Sequence, residues 1–487
     1  MTIEVPARST QTGFVPIAAR LTTKARVIDE IRSGLCVENK VVVASGPRIR
    51  WAGNYFTLNG KPQIVLGSNQ TGMVFYADRE GPAIWERDFA MMARAGLRVL
   101  RLLHFSPFAA RGYEGQAANS PSDLVHRPER LIRQMDAFVQ TAQRHGIVVF
   151  LTLHDWMQVA LTDEELKHQR AWNRFWAARY RSVPGIIYDI QNEPAVDVPD
   201  APHIRKLWNE WLQARYGTDD ELRSVWHLAP PEAPLPNVPL SGGPNRWENA
   251  RAADRKRFEA YLLNRWVAEN VRGVKEGDPD ALVCVGYLPS MAPADKVLGV
   301  RHTDFSNMHY YGPIDGLPNE LALIDRRVYG NGLTIGEFGA MESHARRNAG
   351  SDGLPADISI ERFAHTVHAA VGMGAAMICN WSLRELDEMV FPWGLYQRNT
   401  PVPKPWAVTY GTLARALRLF EPEYRSPEVF LLVPDAHRIG PRYEELHAAI
   451  RRSVGILLDL NVPFGVLNEE DFAKPPDSAR VIIWPIP

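Results

Sequence analysis

The sequence predicts an α/β chain built on a (β/α)8 TIM barrel, followed by a smaller doubly wound α/β element. Three observations carry this. From residue 62 a rhythm of apolar run, loop, amphipathic segment and glycine repeats to about residue 420. Eight apolar runs fall within that rhythm, and runs apolar throughout belong to strands buried on both faces. The length of 487 residues suits one large α/β domain of roughly 250 to 400 residues with something added.

The first fifty residues are mixed. Residues 40–45 (KVVVAS) and 55–58 read as short strands, and Leu58-Asn59-Gly60-Lys61 as a hairpin turn, because Asn-Gly accepts positive φ at little cost. Residues 1–60 are therefore expected to form an N-terminal extension, a lid or collar under the barrel.

The barrel is expected over residues 61–420. Residues 62–67 (PQIVLG) are the first run. A helical period over 82–95 stops at Gly96. Residues 97–104 (LRVLRLLH) are the second run. A helix over 129–145 places Leu131, Ile132, Met135, Phe138, Val139 and Ala142 on one face. Residues 147–153 are the third run, a helix follows around 170–180, and 185–190 (GIIYDI) are the fourth. Residues 281–287, 305–309, 333–335 and 375–379 complete the eight.

The connection after the fourth run, residues 197–280, is too long for a simple crossover. It holds a helix over 203–216, a capping box at Thr218 and Glu221, a proline-rich loop over 229–244 and a long helix over 247–275. Loops on a barrel's C-terminal face build its cleft, so this insertion is expected to shape that cleft. After Phe420 the rhythm changes. Strands over 428–433, 463–467 and 480–484 and a helix over 443–459 make 421–487 a separate element. It stops straight after a strand, as if truncated or completed by a partner chain.

Composition narrows the function. A formal charge of −1 provides no field for nucleic acid or an anionic membrane. No stretch approaches 18 uninterrupted apolar residues, so no membrane span is expected. Cys36, Cys284 and Cys379 are too scattered for a disulfide framework or a zinc knuckle. With no signal peptide pattern at the N-terminus, a cytoplasmic location is expected. No cofactor and no metal are called for.

The chemistry lies at two strand ends. The fourth run leads into Asp189-Ile190-Gln191-Asn192-Glu193-Pro194. The seventh leads into Ile335-Gly336-Glu337-Phe338-Gly339. Both place a carboxylate at the C-terminal mouth of a barrel strand, where catalytic groups of this fold sit. Retaining glycoside hydrolysis needs two carboxyl groups about 5 to 5.5 Å apart, one protonated and one ionised. A salt bridge or helix cap explains either Glu alone. The pair on strands four and seven points to acid/base and nucleophile.

In these motifs the barrel resembles the clan A glycoside hydrolases, family 5 in particular. The resemblance implies Glu193 as acid/base and Glu337 as nucleophile, with Asn192 binding the sugar 2-hydroxyl. It implies Arg101 on strand two orienting the nucleophile, His154 on strand three as a subsite residue, and His309 and Tyr311 on strand six, Tyr311 holding Glu337. Trp381 on strand eight is implied as the sugar platform. Arg98 is the alternative to Arg101, and His154 and His309 have the alternative of core histidines. An arginine beside Glu337 would keep it an anion, whereas Glu193 needs to hold a proton at neutral pH.

The insertion motif Trp211-Leu212-Gln213-Ala214-Arg215-Tyr216-Gly217 and residues 428–484 are similar to family 42 β-galactosidases. That similarity implies a flavodoxin-like C-terminal domain, a homo-oligomer (a trimer in that family) and exo action on small β-glycosides. Family 5 equally allows an endo-acting glucanase or mannanase. Pro194 after the acid/base departs from family 42, as does the lack of a cysteine cluster.

Other candidates stay open. Trp156 and Trp393 could be sugar platforms, Glu385 could reach the site, and Glu342 and His344 follow strand seven. Trp85 reads as core. A metal-dependent hydrolase would need His-x-His on strand one, where the sequence has Gly67-Ser68-Asn69-Gln70. A non-catalytic carbohydrate-binding barrel is the remaining alternative. In either sugar reading the partner is a carbohydrate.

Overall fold

The computed structural model describes every residue except 1–12, 24–25, 106–127, 156–158, 197, 228–232, 241–249, 289–300, 342–355, 386–391, 398–399, 435–441, 470–471, 473 and 487. Trp156, Glu342, His344 and much of the proline-rich loop lie outside the described residues.

The chain opens with an antiparallel hairpin, β1 (Phe14–Thr23) and β2 (Arg26–Cys36). Sequence reading did not find it, because most of its side chains on both faces are exposed and no buried face imposes a pattern. A second sheet joins β3 (Ile49–Ala52), β4 (Tyr55–Leu58) and β5 (Lys61–Gln63). Its β4–β5 turn is the expected Asn59-Gly60, with φ of 54° and 84°. Residues 40–45 are a correction: Lys40–Ala44 is a short helix, not a strand. The Asn39 side chain accepts from the amides of Val41 and Val42. That cap satisfies first-turn donors, which outweighs the strand preference of three valines.

Eight parallel strands then close into a barrel: β6 (Val65–Thr71), β7 (Val99–Leu103), β8 (Val148–Asp155), β9 (Ile186–Asn192), β10 (Val283–Tyr287), β11 (Phe305–His309), β12 (Gly332–Glu337) and β13 (Ala375–Asn380). Each coincides with one expected run. Every residue of β7, β9, β12 and β13 is buried, so these strands read as mostly apolar segments with no alternation of exposed residues. The register aligns Asn69 with Arg101, Arg101 with Phe150, and Thr152 with Asp189.

Helices ring the barrel. Ala83–Ala95 ends at Gly96, whose φ of 90° is the left-handed C-terminal cap. Trp85 on this helix is core, its Nε1 donating to the Met73 carbonyl at 2.8 Å. The helix expected around 170–180 runs over Asp163–Tyr180 and starts in a full capping box of Thr162 and Glu165. Its charged first turns hid its beginning. In the insertion, Pro202–Tyr216 and Asp219–Val225 precede the long helix Ala250–Gly277. Trp208, Trp211, Trp226 and Phe258 pack together there. Gly273 and Gly277 let that helix press on Asp163–Tyr180: a Cβ on Gly273 would lie 2.6 Å from the Arg170 carbonyl.

The C-terminal element has β14 (Val429–Leu432), the helix Tyr443–Asp459, β15 (Phe464–Leu467) and β16 (Val481–Ile483). The strands are parallel in the order β15–β14–β16, as a doubly wound unit requires. Leu431, Val433, Ile450 and Val454 share one apolar cluster with the barrel. No helix among the described residues is long and apolar enough to cross a membrane.

Candidate active site

The C-terminal strand ends converge on Arg101. Strand β7 carries it inward, fully buried. Its Nη1 donates to Glu337 Oε1 at 2.5 Å and to Asn69 Oδ1 at 3.0 Å. Its Nη2 donates to Asp189 Oδ2 at 2.5 Å and to Asn192 Oδ1 at 2.9 Å, and its Nε to Asp189 Oδ2 at 3.0 Å. Burial works against this cation, but Asp189 and Glu337 outweigh it and hold the guanidinium above its usual pKa. Charge-assisted bonds at such distances are the strong kind. Arg98, the sequence alternative, stands one residue before the strand, near Gly146.

Glu337 ends β12 and is 4% exposed. Its second oxygen accepts from the Tyr311 hydroxyl at 2.8 Å. Burial first, then Glu337, raises the Tyr311 phenol well above its ordinary pKa, so it donates and does not ionise.

Glu193 follows β9 at φ 48°, left-handed backbone that a non-glycine residue adopts only under constraint. Its amide is fixed by the Gly286 carbonyl at 2.9 Å. The side chain keeps 18% of its surface exposed. Burial raises its carboxyl above the usual range, and Arg101 opposes that rise. Glu193 is thus the carboxyl pushed toward its protonated form.

His309 stands between the two acids. Its Nδ1 is 2.9 Å from Glu193 Oε1 and 3.6 Å from Glu337 Oε2. Burial lowers its pKa to about 4, against the pull of Glu337, so the ring is neutral at neutral pH. Either Nδ1–H donates to a carboxylate or the protonated acid donates to Nδ1. One donor atom each from Glu193, His309 and Glu337 lies within 4.8 Å of the others. A metal ion there would face the Arg101 guanidinium, so the set suits proton transfer and nucleophilic attack by a carboxylate better than a cation.

Trp381 follows β13, 5% exposed, its amide donating to the Phe338 carbonyl at 2.7 Å. Trp393 meets the Tyr311 ring edge-on with centroids 5.5 Å apart. The Trp381 backbone and the Trp393 indole crowd Gly339: a Cβ there would lie 2.6 Å from the Trp381 carbonyl and 3.1 Å from the Trp393 ring. The structure therefore brings together Arg101, Asn192, Glu193, His309, Tyr311, Glu337 and Trp393, with Trp381 beside them.

Two candidates sit elsewhere. His154 is fully buried against the amides of Asn173 and Asn270 on two outer helices, and burial lowers it to about 4. Glu385 forms a buried ion pair with Lys404. Two residues were missed, Asn69 and Asp189. Asn69 also donates to the Gly336 carbonyl at 2.7 Å, tying β6 to the strand of Glu337. Asp189 stands four residues before Glu193. An acid inside an otherwise buried strand needs a partner cation, and that was the available signal.

Residues 58–225 match the family model of cellulase, glycosyl hydrolase family 5. The match spans the first four barrel strands and includes Glu193. Among curated proteins none matches the sequence. Among solved structures, the chain is similar to a cold-adapted β-galactosidase from Rahnella sp. R3 (16% identity, TM-score 0.67, covering 87% of this chain and 67% of that one). It is similar to a family 42 β-galactosidase from G. stearothermophilus (14% identity, TM-score 0.64, 90% and 69%). It is also similar to a family 5 subfamily 18 protein from Streptomyces cattleya (14% identity, TM-score 0.56, 87% and 99%). At such identities these structures share the fold. The cellulase match over residues 58–225 supports a glycosidase.

Proposed function

We propose that this chain is a retaining β-glycosidase that works by double displacement, with Glu337 as nucleophile and Glu193 as acid/base. One observation carries the reading: carboxylate oxygens of Glu193 and Glu337 lie within 4.8 Å of each other, in unlike environments. Inverting enzymes hold their carboxyl groups roughly 6.5 to 9.5 Å apart to admit water, and retaining enzymes about 5 to 5.5 Å. Glu337 is paired with Arg101 and Tyr311, while burial lifts the Glu193 pKa.

In the first step a Glu337 oxygen attacks the anomeric carbon. The glycosidic C–O bond breaks and the Glu193 proton goes to the leaving oxygen. In the second, water attacks the same carbon, Glu193 takes its proton and the ester bond to Glu337 breaks. Asn192 is positioned for the sugar 2-hydroxyl, with Trp381 and Trp393 as apolar platforms.

We favour exo action on a small β-glycoside, β-galactoside first, because the insertion motif and residues 428–484 resemble family 42 β-galactosidases and the fold is similar to two β-galactosidases over 87% and 90% of this chain. The cellulase match supports an endo-acting reading instead. The test is a panel of 4-nitrophenyl β-galactoside, β-glucoside, β-mannoside and β-fucoside, carboxymethyl cellulose, and Manβ1-4GlcNAc, which the S. cattleya protein binds in a related structure. Proton NMR would follow the first-formed anomer. Retained configuration, loss of turnover in Glu337→Gln and azide rescue of Glu193→Ala are expected. Full activity in Glu337→Gln, or an inverted product, overturns the reading.

A further inference from the structure

Arg101 carries one positive charge and meets two carboxylates, Glu337 and Asp189. Only Glu337 stands opposite the acid/base candidate; Asp189 lies deeper, with no exposure. Its Oδ2 accepts from Arg101 Nε and Nη2 and from the Thr152 hydroxyl at 3.2 Å, and its Oδ1 accepts the Gly286 amide at 2.9 Å. Every one of those donors belongs to a barrel strand, so the aspartate is held from three sides.

We propose that Asp189 is a positioning residue that fixes the Arg101 fork and keeps its charge balanced while Glu337 is esterified. This rests on the double-displacement reading above. In the form that the first step requires, Glu193 carries its proton and Arg101 faces the carboxylates of Glu337 and Asp189, a net charge of −1. After glycosyl transfer Glu337 is a neutral ester and Glu193 an anion, again −1. The charge moves from one mouth carboxylate to the other while the Arg101–Asp189 pair stays neutral. Without Asp189, Arg101 would lose both of its direct ion-pair partners whenever Glu337 is esterified, leaving a buried cation opposed only by Glu193 across the mouth, and that state is costly. The free cation would also draw on Glu193 and make it a weaker base in the second step.

Other groups share the field. Cys284 and Tyr287 face Asp189 from β10, Cys379 faces Arg101 from β13, and His309 and Tyr311 face Glu193 and Glu337 from β11 and beyond. Burial keeps both thiols and both phenols protonated and the imidazole neutral, so none of them replaces the Asp189 charge.

The experiment uses two variants of the full chain, Asp189→Asn and Asp189→Glu. Glutamate side chains carry carbon-13 at the carboxyl, and the Glu193 signal is assigned with Glu193→Gln. NMR titration then reads Glu193 with no need of turnover. Asp189→Asn is expected to lower the Glu193 titration by about one pH unit and kcat/KM by about 10- to 150-fold. Asp189→Glu, which keeps the charge and displaces the fork, is expected to keep the titration and lose kcat/KM. A Glu193 titration in Asp189→Asn that matches the wild type overturns the proposal. Should Asp189→Asn not fold, the Asp189→Glu titration decides: a Glu193 shift despite the retained charge overturns it. Absence of turnover in the wild type refutes the glycosidase reading and leaves the titration result standing.

Discussion

Gly286 and His309 occupy each other's space: a Cβ on Gly286 would lie 2.6 Å from His309 Nε2 and 3.2 Å from Arg101 Nη2. The glycine on β10 thus decides where the imidazole on β11 lies, and the imidazole touches both mouth carboxyls. Gly286→Ala is expected to push the ring outward and disturb the Glu193 contact. Overpacking of this kind costs roughly 1–3 kcal/mol. If that cost falls on the reacting geometry, kcat/KM drops about 10- to 100-fold. Steady-state kinetics beside a melting curve checks it. A variant that loses stability with unchanged kcat/KM would show that the ring position does not matter to the chemistry.

Glu193 has its carboxyl raised by burial, with Arg101 opposing. Its acid form therefore persists to higher pH than that of an ordinary glutamate. Since the first step consumes the protonated form, kcat/KM falls as pH rises through that raised pKa, giving the alkaline limb of the profile. The limb should appear for 4-nitrophenyl glycosides and weaken for 2,4-dinitrophenyl glycosides, whose leaving group needs little protonation. Equal limbs for the two substrates would remove Glu193 from the acid role.

Legibility in the sequence followed burial. The eight barrel strands were readable because both of their faces are enclosed, which forces apolar runs. The β1–β2 hairpin has mostly exposed faces and left no comparable pattern. Residues 40–45 misled because three valines favour a strand, whereas in the folded chain the Asn39 cap holds them in a short helix. At the site, the residues at strand ends were readable from type and address. Asn69 was not, and Asp189 was readable only as a buried acid in need of some cation, because which groups they hold appears only when strands far apart in sequence are in register. His154 had the right address, but its neighbours Asn173 and Asn270 come from helices whose packing no strand count reveals.

Glu385 and Lys404 form an ion pair with only 1% and 5% of their side chains exposed. The ammonium also sits 5.1 Å from the Trp406 ring centroid. Lys404→Met takes the ammonium away from a buried carboxylate, a loss of about 3–5 kcal/mol. Replacing both, as Lys404→Met with Glu385→Leu, should recover most of that loss, since apolar pairs often substitute well for buried ion pairs. Urea unfolding of the two variants checks this. A double variant no more stable than the single one would mean that Glu385 has a task beyond the pair.

His154 links the site's surroundings to the pH dependence of stability. Burial holds it near a pKa of about 4 in the folded chain, against about 6.5 unfolded. The folded pKa is the lower one, so on acidification the unfolded chain takes the proton first. Stability is therefore lost as pH falls below about 6.5, and the loss from this residue is complete below about 4. Between pH 7 and pH 5 one such histidine accounts for roughly 2 kcal/mol. His309, equally buried and lowered to about 4, adds a similar share. His154→Asn removes one titrating group while keeping a polar side chain beside Asn173 and Asn270. Its unfolding free energy should thus fall by about 2 kcal/mol less than the wild type's over that pH interval, whatever its stability at pH 7. Denaturant curves at pH 7, 6 and 5 give the two slopes. Parallel slopes would show that His154 is already free to protonate in the folded chain, and that its surroundings are wetter than the packing against the two helices implies.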